Sequence, residues 1–256
     1  MFVNVDEAGL FTASFGPTDG PVLLALGGWI GSWELWLGPF EILSARRRTI
    51  GLDHRGAGAT VAPVGSITFD RLVKDVVAVM DVLGIRRCAL AGESVGGGVA
   101  LAAAARHPDR FDRLILVSPH LPPTEAFVPD DSFDAALRAA YPQALDGFVA
   151  ACLPEPGVED VARWGRMILD RATPEAAIAL YRMRATTDLR EEARAVAAPT
   201  LILHGDADGI VPLASSERLA TVIPHAQLEV LPGAGHVPTM SRPLEVASAI
   251  EAFLDG

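Results

Sequence analysis

Ala89-Leu90-Ala91-Gly92-Glu93-Ser94-Val95-Gly96-Gly97-Gly98 decides how the rest of the chain is read. An apolar run ends at Gly92, and an alanine-rich segment without proline starts just after Ser94. A strand that turns directly into a helix holds the residue at the bend in a strained conformation with its side chain projecting outward. Glycines at 92 and 96 suit such a bend, where strand and helix backbones crowd each other and a side chain has no room. The new helix also places free N–H groups and the positive end of its dipole beside Ser94. A serine hydroxyl is a weak nucleophile, so the question for the remaining sequence is whether it supplies a base and a group to orient that base.

Strands and helices alternate on both sides of this bend. Residues 2–5 and 11–15 read as short strands, followed by a Gly-Pro-Thr-Asp-Gly turn at 16–20. Pro21-Val22-Leu23-Leu24-Ala25-Leu26 is apolar on both faces, as a central parallel strand is, and runs into Gly27-Gly28-Trp29-Ile30-Gly31-Ser32. A helix near 33–45 and a strand at 48–53 follow. Over 68–83, Leu72, Val73, Val76, Val77, Met80 and Leu83 fall at helical spacing, with Thr68 placed to cap and Gly84 to stop the helix. Strand 87–91, a helix to about His107 and strand 113–118 complete the first half. The alternation predicts a mostly parallel sheet covered on both faces.

The rhythm breaks at Pro119. Residues 121–196 contain no strand pattern but four helix-like pieces, at 131–141, 143–152, 158–171 and 174–187, separated by prolines and glycine. This segment reads as a helical cap inserted into an α/β core formed by 1–120 and 197–256. The core resumes with strand 199–204, helix 213–222, strand 227–231 and helix 243–254.

Ligands gather at the carboxyl ends of parallel strands. Two loops there can serve Ser94: Gly205-Asp206-Ala207-Asp208-Gly209-Ile210-Val211-Pro212, with two candidate acids, and Gly233-Ala234-Gly235-His236-Val237-Pro238, with a candidate base. The chain order is serine, acid, histidine.

With these four motifs in sequence, the chain resembles the α/β-hydrolase superfamily, in the cap-bearing branch that holds esterases, enol-lactonases, C–C bond hydrolases and cofactor-free haloperoxidases. The resemblance covers residues 20–118 and 198–254. It implies Ser94 as nucleophile, His236 as general base and Asp208 as the acid, because Asp208 fits the family's Gly-x-x-Asp-x-x-Val-Pro loop and Asp206 does not. It also implies an oxyanion hole from the backbone N–H groups of Val95 and Trp29. Where the family usually reads His-Gly-x, this chain has Gly27-Gly28-Trp29. The run Asp53-His54-Arg55-Gly56-Ala57-Gly58 resembles a structural turn of the same family.

The implied activity is hydrolysis of a carboxylic ester or lactone through an acyl-enzyme. C–C bond hydrolysis and perhydrolysis use the same triad and stand as alternatives, and a small-molecule receptor or biosynthetic tailoring protein on this fold is the alternative of another class. Gly28, Trp29, His120, Trp164, Tyr181 and Val237 are the candidate substrate contacts, with His120 equally suited to a cap hinge and the cap aromatics to core packing. Glu93 receives no role.

Composition narrows the field further. The chain has 256 residues, half of them hydrophobic, enough for one domain with a substantial core. A net charge of −11 with no basic patch argues against a nucleic-acid partner. The longest apolar run, Val95 to Ala105, holds three glycines and falls far short of the ~20 residues of a membrane helix. Cys88 and Cys152 read as reduced and structural, and the amino-terminal residues contain no leader-like stretch, so a cytoplasmic location is expected. His54, His107, His204 and His225 lack ligand spacing, so neither a metal nor another cofactor is expected. The expected partner is a small, largely hydrophobic ester or lactone.

Overall fold

The computed structural model describes residues 1–119, 131–185 and 187–256. Its frame is one eight-stranded sheet. The strands are β1 (Phe2–Val5), β2 (Ala8–Phe15), β3 (Val22–Leu26), β4 (Arg48–Leu52), β5 (Cys88–Glu93), β6 (Phe111–Val117), β7 (Thr200–Gly205) and β8 (Ala226–Leu231), in the spatial order β1-β2-β4-β3-β5-β6-β7-β8. The first two strands pair antiparallel, β2 pairs antiparallel with β4, and all later pairings are parallel. Register aligns Leu26 with Gly92, Gly92 with Leu116, and Val117 with Leu203, so the loops of interest leave one edge of the sheet together.

Helices cover the sheet. They include α1 (Leu37–Leu43), α2 (Phe69–Val82), α3 (Val95–Arg106), α9 (Leu213–Val222), α10 (Pro238–Ser241) and α11 (Pro243–Asp255). Between β6 and β7 lie α4 (Asp131–Ala139), α5 (Tyr141–Cys152), α6 (Glu159–Leu169), α7 (Pro174–Ala185) and α8 (Arg190–Ala195). Period-two alternation assigns each strand residue to a face. Leu24, Leu26, Leu90, Leu114 and Leu116 join Val76, Met80 and Val99 in one core; Leu23, Ala25, Ala89, Ala91, Ile115 and Val117 join Trp36, Phe40 and Ile250 in the other. Because both faces are buried, the central strands carry no polar alternation.

The capping position read at Thr68 is occupied: its Oγ1 accepts from the Arg71 N–H at 3.3 Å. Four local differences from the sequence reading have physical causes. β2 begins at Ala8, because pairing with β1 extends the strand across Gly9. The segment at 33–36 is a 3-10 turn, not α-helix. There Ser32 Oγ accepts from the Glu34 N–H, and Asp53 Oδ1 accepts from the Trp33 N–H at 2.7 Å. Helix α8 has no apolar stripe to announce it, since only Ala193 of its six residues is buried. Helix α10 is a single turn within the Val237–Arg242 stretch, begun by a proline at its first position. His120 and residues 121–130 of the expected cap lie outside the described residues.

Candidate active site

The bend after β5 has the geometry its glycines require. Ser94 sits at φ 53°, ψ −118°, a region that side chains other than glycine rarely occupy. A Cβ at Gly92 would lie 2.2 Å from the Gly96 carbonyl oxygen, and one at Gly96 would lie 2.3 Å from that of Gly27. The strained serine is therefore held by backbone on both sides. Its own N–H donates to the Val117 carbonyl of β6 at 2.9 Å.

His236 follows β8 and is nearly inaccessible. Its Nε2 lies 2.9 Å from Ser94 Oγ and its Nδ1 lies 2.7 Å from Asp208 Oδ2. The three residues read from the strand-end loops thus form one chain of hydrogen bonds. Asp206 does not join it: that side chain is exposed and accepts from the Gly233 N–H at 2.6 Å.

The Asp208 side chain has no access to solvent and is nevertheless surrounded by donors. Oδ1 accepts from the N–H groups of Ile210 (2.8 Å) and Val211 (2.9 Å). Oδ2 faces His236 and also His204 Nε2, at 3.2 Å. The second contact fixes a tautomer. His204 Nε2 is 2.9 Å from the Val211 carbonyl oxygen, which can only accept, so Nε2 carries the proton and Nδ1 accepts from Ser216 Oγ at 2.7 Å. Burial opposes ionisation of Asp208, but the hydrogen bonds from His204 and His236 outweigh it and hold its carboxyl well below the usual carboxylate range. Nothing in the sequence distinguished His204 from a core histidine.

Trp29 follows Gly28 in the loop beside Ser94, and Val95 is the first residue of α3. Among the described residues neither backbone N–H donates to a protein acceptor. The Trp29 loop is close: a Cβ on Gly28 would lie 3.2 Å from Ser94 Cβ. Where the resemblance leads us to expect a histidine the chain has Gly27, and His54 from the following loop places Nε2 3.1 Å from the Gly28 carbonyl oxygen. Trp36 Nε1–H donates to the Leu26 carbonyl at 2.9 Å, bracing the same loop from its other end.

A cavity of about 50 Å³ opens onto Ser94 and His236. Gly28, Trp29 and Val237 line it, together with Ile30, Leu35, Phe148, Val149, Cys152, Leu153, Leu169 and Met240. Trp164 and Tyr181 are not among its lining residues. Trp164 packs with the core on the α11 side of the sheet, and the Tyr181 ring meets the Phe133 ring at 5.2 Å. Residue type marked those two as wall candidates; the rotation of α6 and α7 turns them elsewhere and brings Gly165 and Leu169 to the wall instead. The indole of Trp29 ties the loop to the inserted helices, donating Nε1–H to the Ala177 carbonyl at 2.8 Å and meeting Phe148 edge-on.

Glu93 is buried beside this site. Its Oε1 accepts from Thr239 Oγ1 at 2.7 Å, while Oε2 has no partner among the described residues. Burial pushes its carboxyl up to about 8 from an ordinary 4.5, so it is protonated at neutral pH. Unfolded, Glu93 loses its proton near 4.5; folded, it keeps it to about 8. In that window the unfolded state binds fewer protons, so stability falls as pH rises. Relative to Glu93→Gln, the wild type is expected to lose up to about 1.4 kcal/mol per pH unit across this window and nothing further above it. Urea unfolding of both proteins from about pH 5 to about pH 9 checks this, and parallel pH curves would refute it.

Among the described residues no group of three or more histidines, cysteines or acids is placed to hold a metal ion, and no helix is long and apolar enough to cross a membrane. Both cysteines are free and buried.

Comparison with known proteins gives consistent relatives. The family model of serine aminopeptidase, S33 matches residues 45–241. A putative carbamate hydrolase RutD from Caulobacter sp. (strain K31) is 30% identical over 88% of this chain and 87% of its own length. A pimeloyl-(acyl-carrier protein) methyl ester esterase from Nitrosomonas europaea is 32% identical over 92% of this chain and 96% of its own. Among solved structures, an enol-lactonase from Burkholderia xenovorans LB400 superposes with a TM-score of 0.91, at 25% identity and over 100% of both chains.

Proposed function

The chain belongs to the α/β-hydrolase superfamily, in the family of serine aminopeptidase, S33, and from that premise we propose that it hydrolyses a small, largely apolar carboxylic ester or lactone through a covalent acyl-enzyme. The observation that carries this reading is the relay from Asp208 Oδ2 to His236 Nδ1 (2.7 Å) and from His236 Nε2 to Ser94 Oγ (2.9 Å) at the floor of an apolar cavity.

In this reading Ser94 Oγ attacks the carbonyl carbon while His236 Nε2 takes its proton. Asp208 holds the imidazole with Nδ1–H toward itself and stabilises the imidazolium that forms. The N–H groups of Trp29 and Val95 receive the oxyanion, each contributing about 3 kcal/mol to the transition state. His236 then protonates the departing alkoxide. Water, deprotonated by the same imidazole, attacks the acyl-enzyme and frees the acid. The inserted helices serve as the cap: Phe148, Val149 and Leu169 close the acyl side with apolar surface. The esterase and enol-lactonase names of the relatives agree with a carbonyl substrate of this class.

A panel of p-nitrophenyl esters of increasing acyl length, five- and six-membered lactones, and a vinylogous β-diketone tests the proposal. Turnover is expected for short esters or lactones and to decline as the acyl chain outgrows the cavity. Cleavage of the diketone alone would replace the ester reading with C–C hydrolysis. Binding without turnover across the panel would favour a receptor.

A further inference from the structure

A loop without regular structure must find outside partners for its backbone N–H groups. In the loop that carries His236, the Ala234 carbonyl accepts from the Ala207 N–H of the Asp208 loop at 3.0 Å. The next two N–H groups cross to the connection between α5 and α6. Gly235 N–H donates to Glu155 Oε1 at 2.8 Å, and His236 N–H donates to the Cys152 carbonyl at 2.8 Å. The same Glu155 oxygen accepts from Ser241 Oγ at 2.7 Å, on the helical turn just beyond His236. One carboxylate oxygen thus holds the residue before His236 and the turn after it.

The fit leaves no slack. Glu155 is 7% exposed and stands between Pro154 and Pro156, which restrict its backbone. A Cβ at Gly235 would lie 2.4 Å from the Cys152 carbonyl oxygen and 2.5 Å from Pro154 Cδ. Proton transfer between Ser94 and His236 depends on a heavy-atom distance held within tenths of an ångström, and misplacement by about 1 Å costs up to ~10²-fold in rate.

We propose that Glu155 is a positioning residue of the inserted helices, fixing the backbone of the His236 loop so that the imidazole stays aligned between Ser94 and Asp208. The proposal rests on the reading of His236 as the general base. It makes the middle of the helical insertion part of the catalytic frame.

The test uses the full chain with p-nitrophenyl acetate as probe and two readouts: steady-state kinetics, and the far-downfield proton NMR signal of His236 Nδ1–H. Glu155→Ala is expected to lower kcat about 10- to 100-fold with KM changed less than about threefold, and to broaden the signal. Glu155→Gln keeps an acceptor oxygen for both donors and is expected to restore kcat to within about threefold and the signal to its wild-type position. Should the alanine variant fail to fold, Glu155→Asp withdraws the carboxylate by one methylene and takes its place with the same expectation. A folded alanine or aspartate variant with wild-type kcat and an unmoved signal overturns the proposal. So does a loss of melting temperature alone. If Ser94→Ala turned over the ester at the wild-type rate, the triad reading would fail, and the NMR signal alone would then decide whether Glu155 holds His236.

Discussion

Ser94→Ala is expected to reduce kcat for p-nitrophenyl acetate by on the order of 10⁶-fold, to the level left by the cavity and the oxyanion donors alone. Among the described residues, Ser94 Oγ is the hydroxyl bonded to His236 Nε2, and no other nucleophile shares that base. Ser118, also buried, lies just past the end of β6, Thr239 Oγ1 is bonded to Glu93, and burial pushes the Cys152 thiol of the cavity wall well above its ordinary range. Alanine keeps a Cβ at the same position, so the strain at φ 53° is unchanged and the fold is expected to persist. Two measurements check it: release of nitrophenolate, and stoichiometric labelling by a short alkyl phosphonate in the wild type with none in the variant. Retention of more than about a hundredth of wild-type kcat would be incompatible with Ser94 as the nucleophile.

Asp208→Asn is expected to cost about 10⁴-fold in kcat, roughly 5 kcal/mol of transition-state stabilisation, while leaving the fold in place. The direction follows from the donors around the acid. Ile210 and Val211 both present N–H groups to Oδ1, so an asparagine must set its carbonyl oxygen there. Its amide nitrogen then occupies the Oδ2 position, 2.7 Å from His236 Nδ1. That nitrogen can only donate. His236 is forced to accept at Nδ1 and carry its proton on Nε2, facing Ser94, where it cannot receive another. His204 Nε2–H meets the same amide nitrogen and loses its contact with the acid but keeps the Val211 carbonyl at 2.9 Å, so the added stability cost is expected to be about 1 kcal/mol. Kinetics with p-nitrophenyl acetate near neutral pH, paired with urea unfolding, separate the two effects. A loss below about tenfold would remove Asp208 from its assigned role.

The parts of the site set by local rules were legible in the sequence. Gly92 and Gly96 announce the bend because their Cβ positions are filled by neighbouring backbone, and that crowding is a property of the motif itself. Asp208 and His236 stand at strand ends, where the alternation of elements already puts ligand-facing loops. The cavity wall follows other physics. Phe148, Val149 and Leu169 reach Ser94 through the rotation of helices whose polar and apolar faces are each divided between core, cavity and solvent. Aromatic type pointed to Trp164 and Tyr181, and packing sent them to other neighbours. Glu155 meets the His236 loop and His204 meets Asp208 through contacts such as Gly235 to Glu155, 80 residues apart in the chain, which no local pattern encodes. His54 supports the Gly28 carbonyl from a neighbouring loop, so a motif that looked incomplete at Gly27 is supported from elsewhere.

Helix α5 presents Phe148 and Val149 to the cavity and, within one further turn, the Cys152 carbonyl to the backbone of His236. On the proposed reading, substrate preference and the placement of His236 are therefore coupled along this helix. On the same reading, remodelling α5 for bulkier acyl groups is expected to displace His236, whereas Leu169 and Gly165 on α6 border the same space and, among the described residues, make no hydrogen bond to that loop. The last turn of α5 thus joins the cavity wall to the histidine loop, and α6 borders the cavity without that bond.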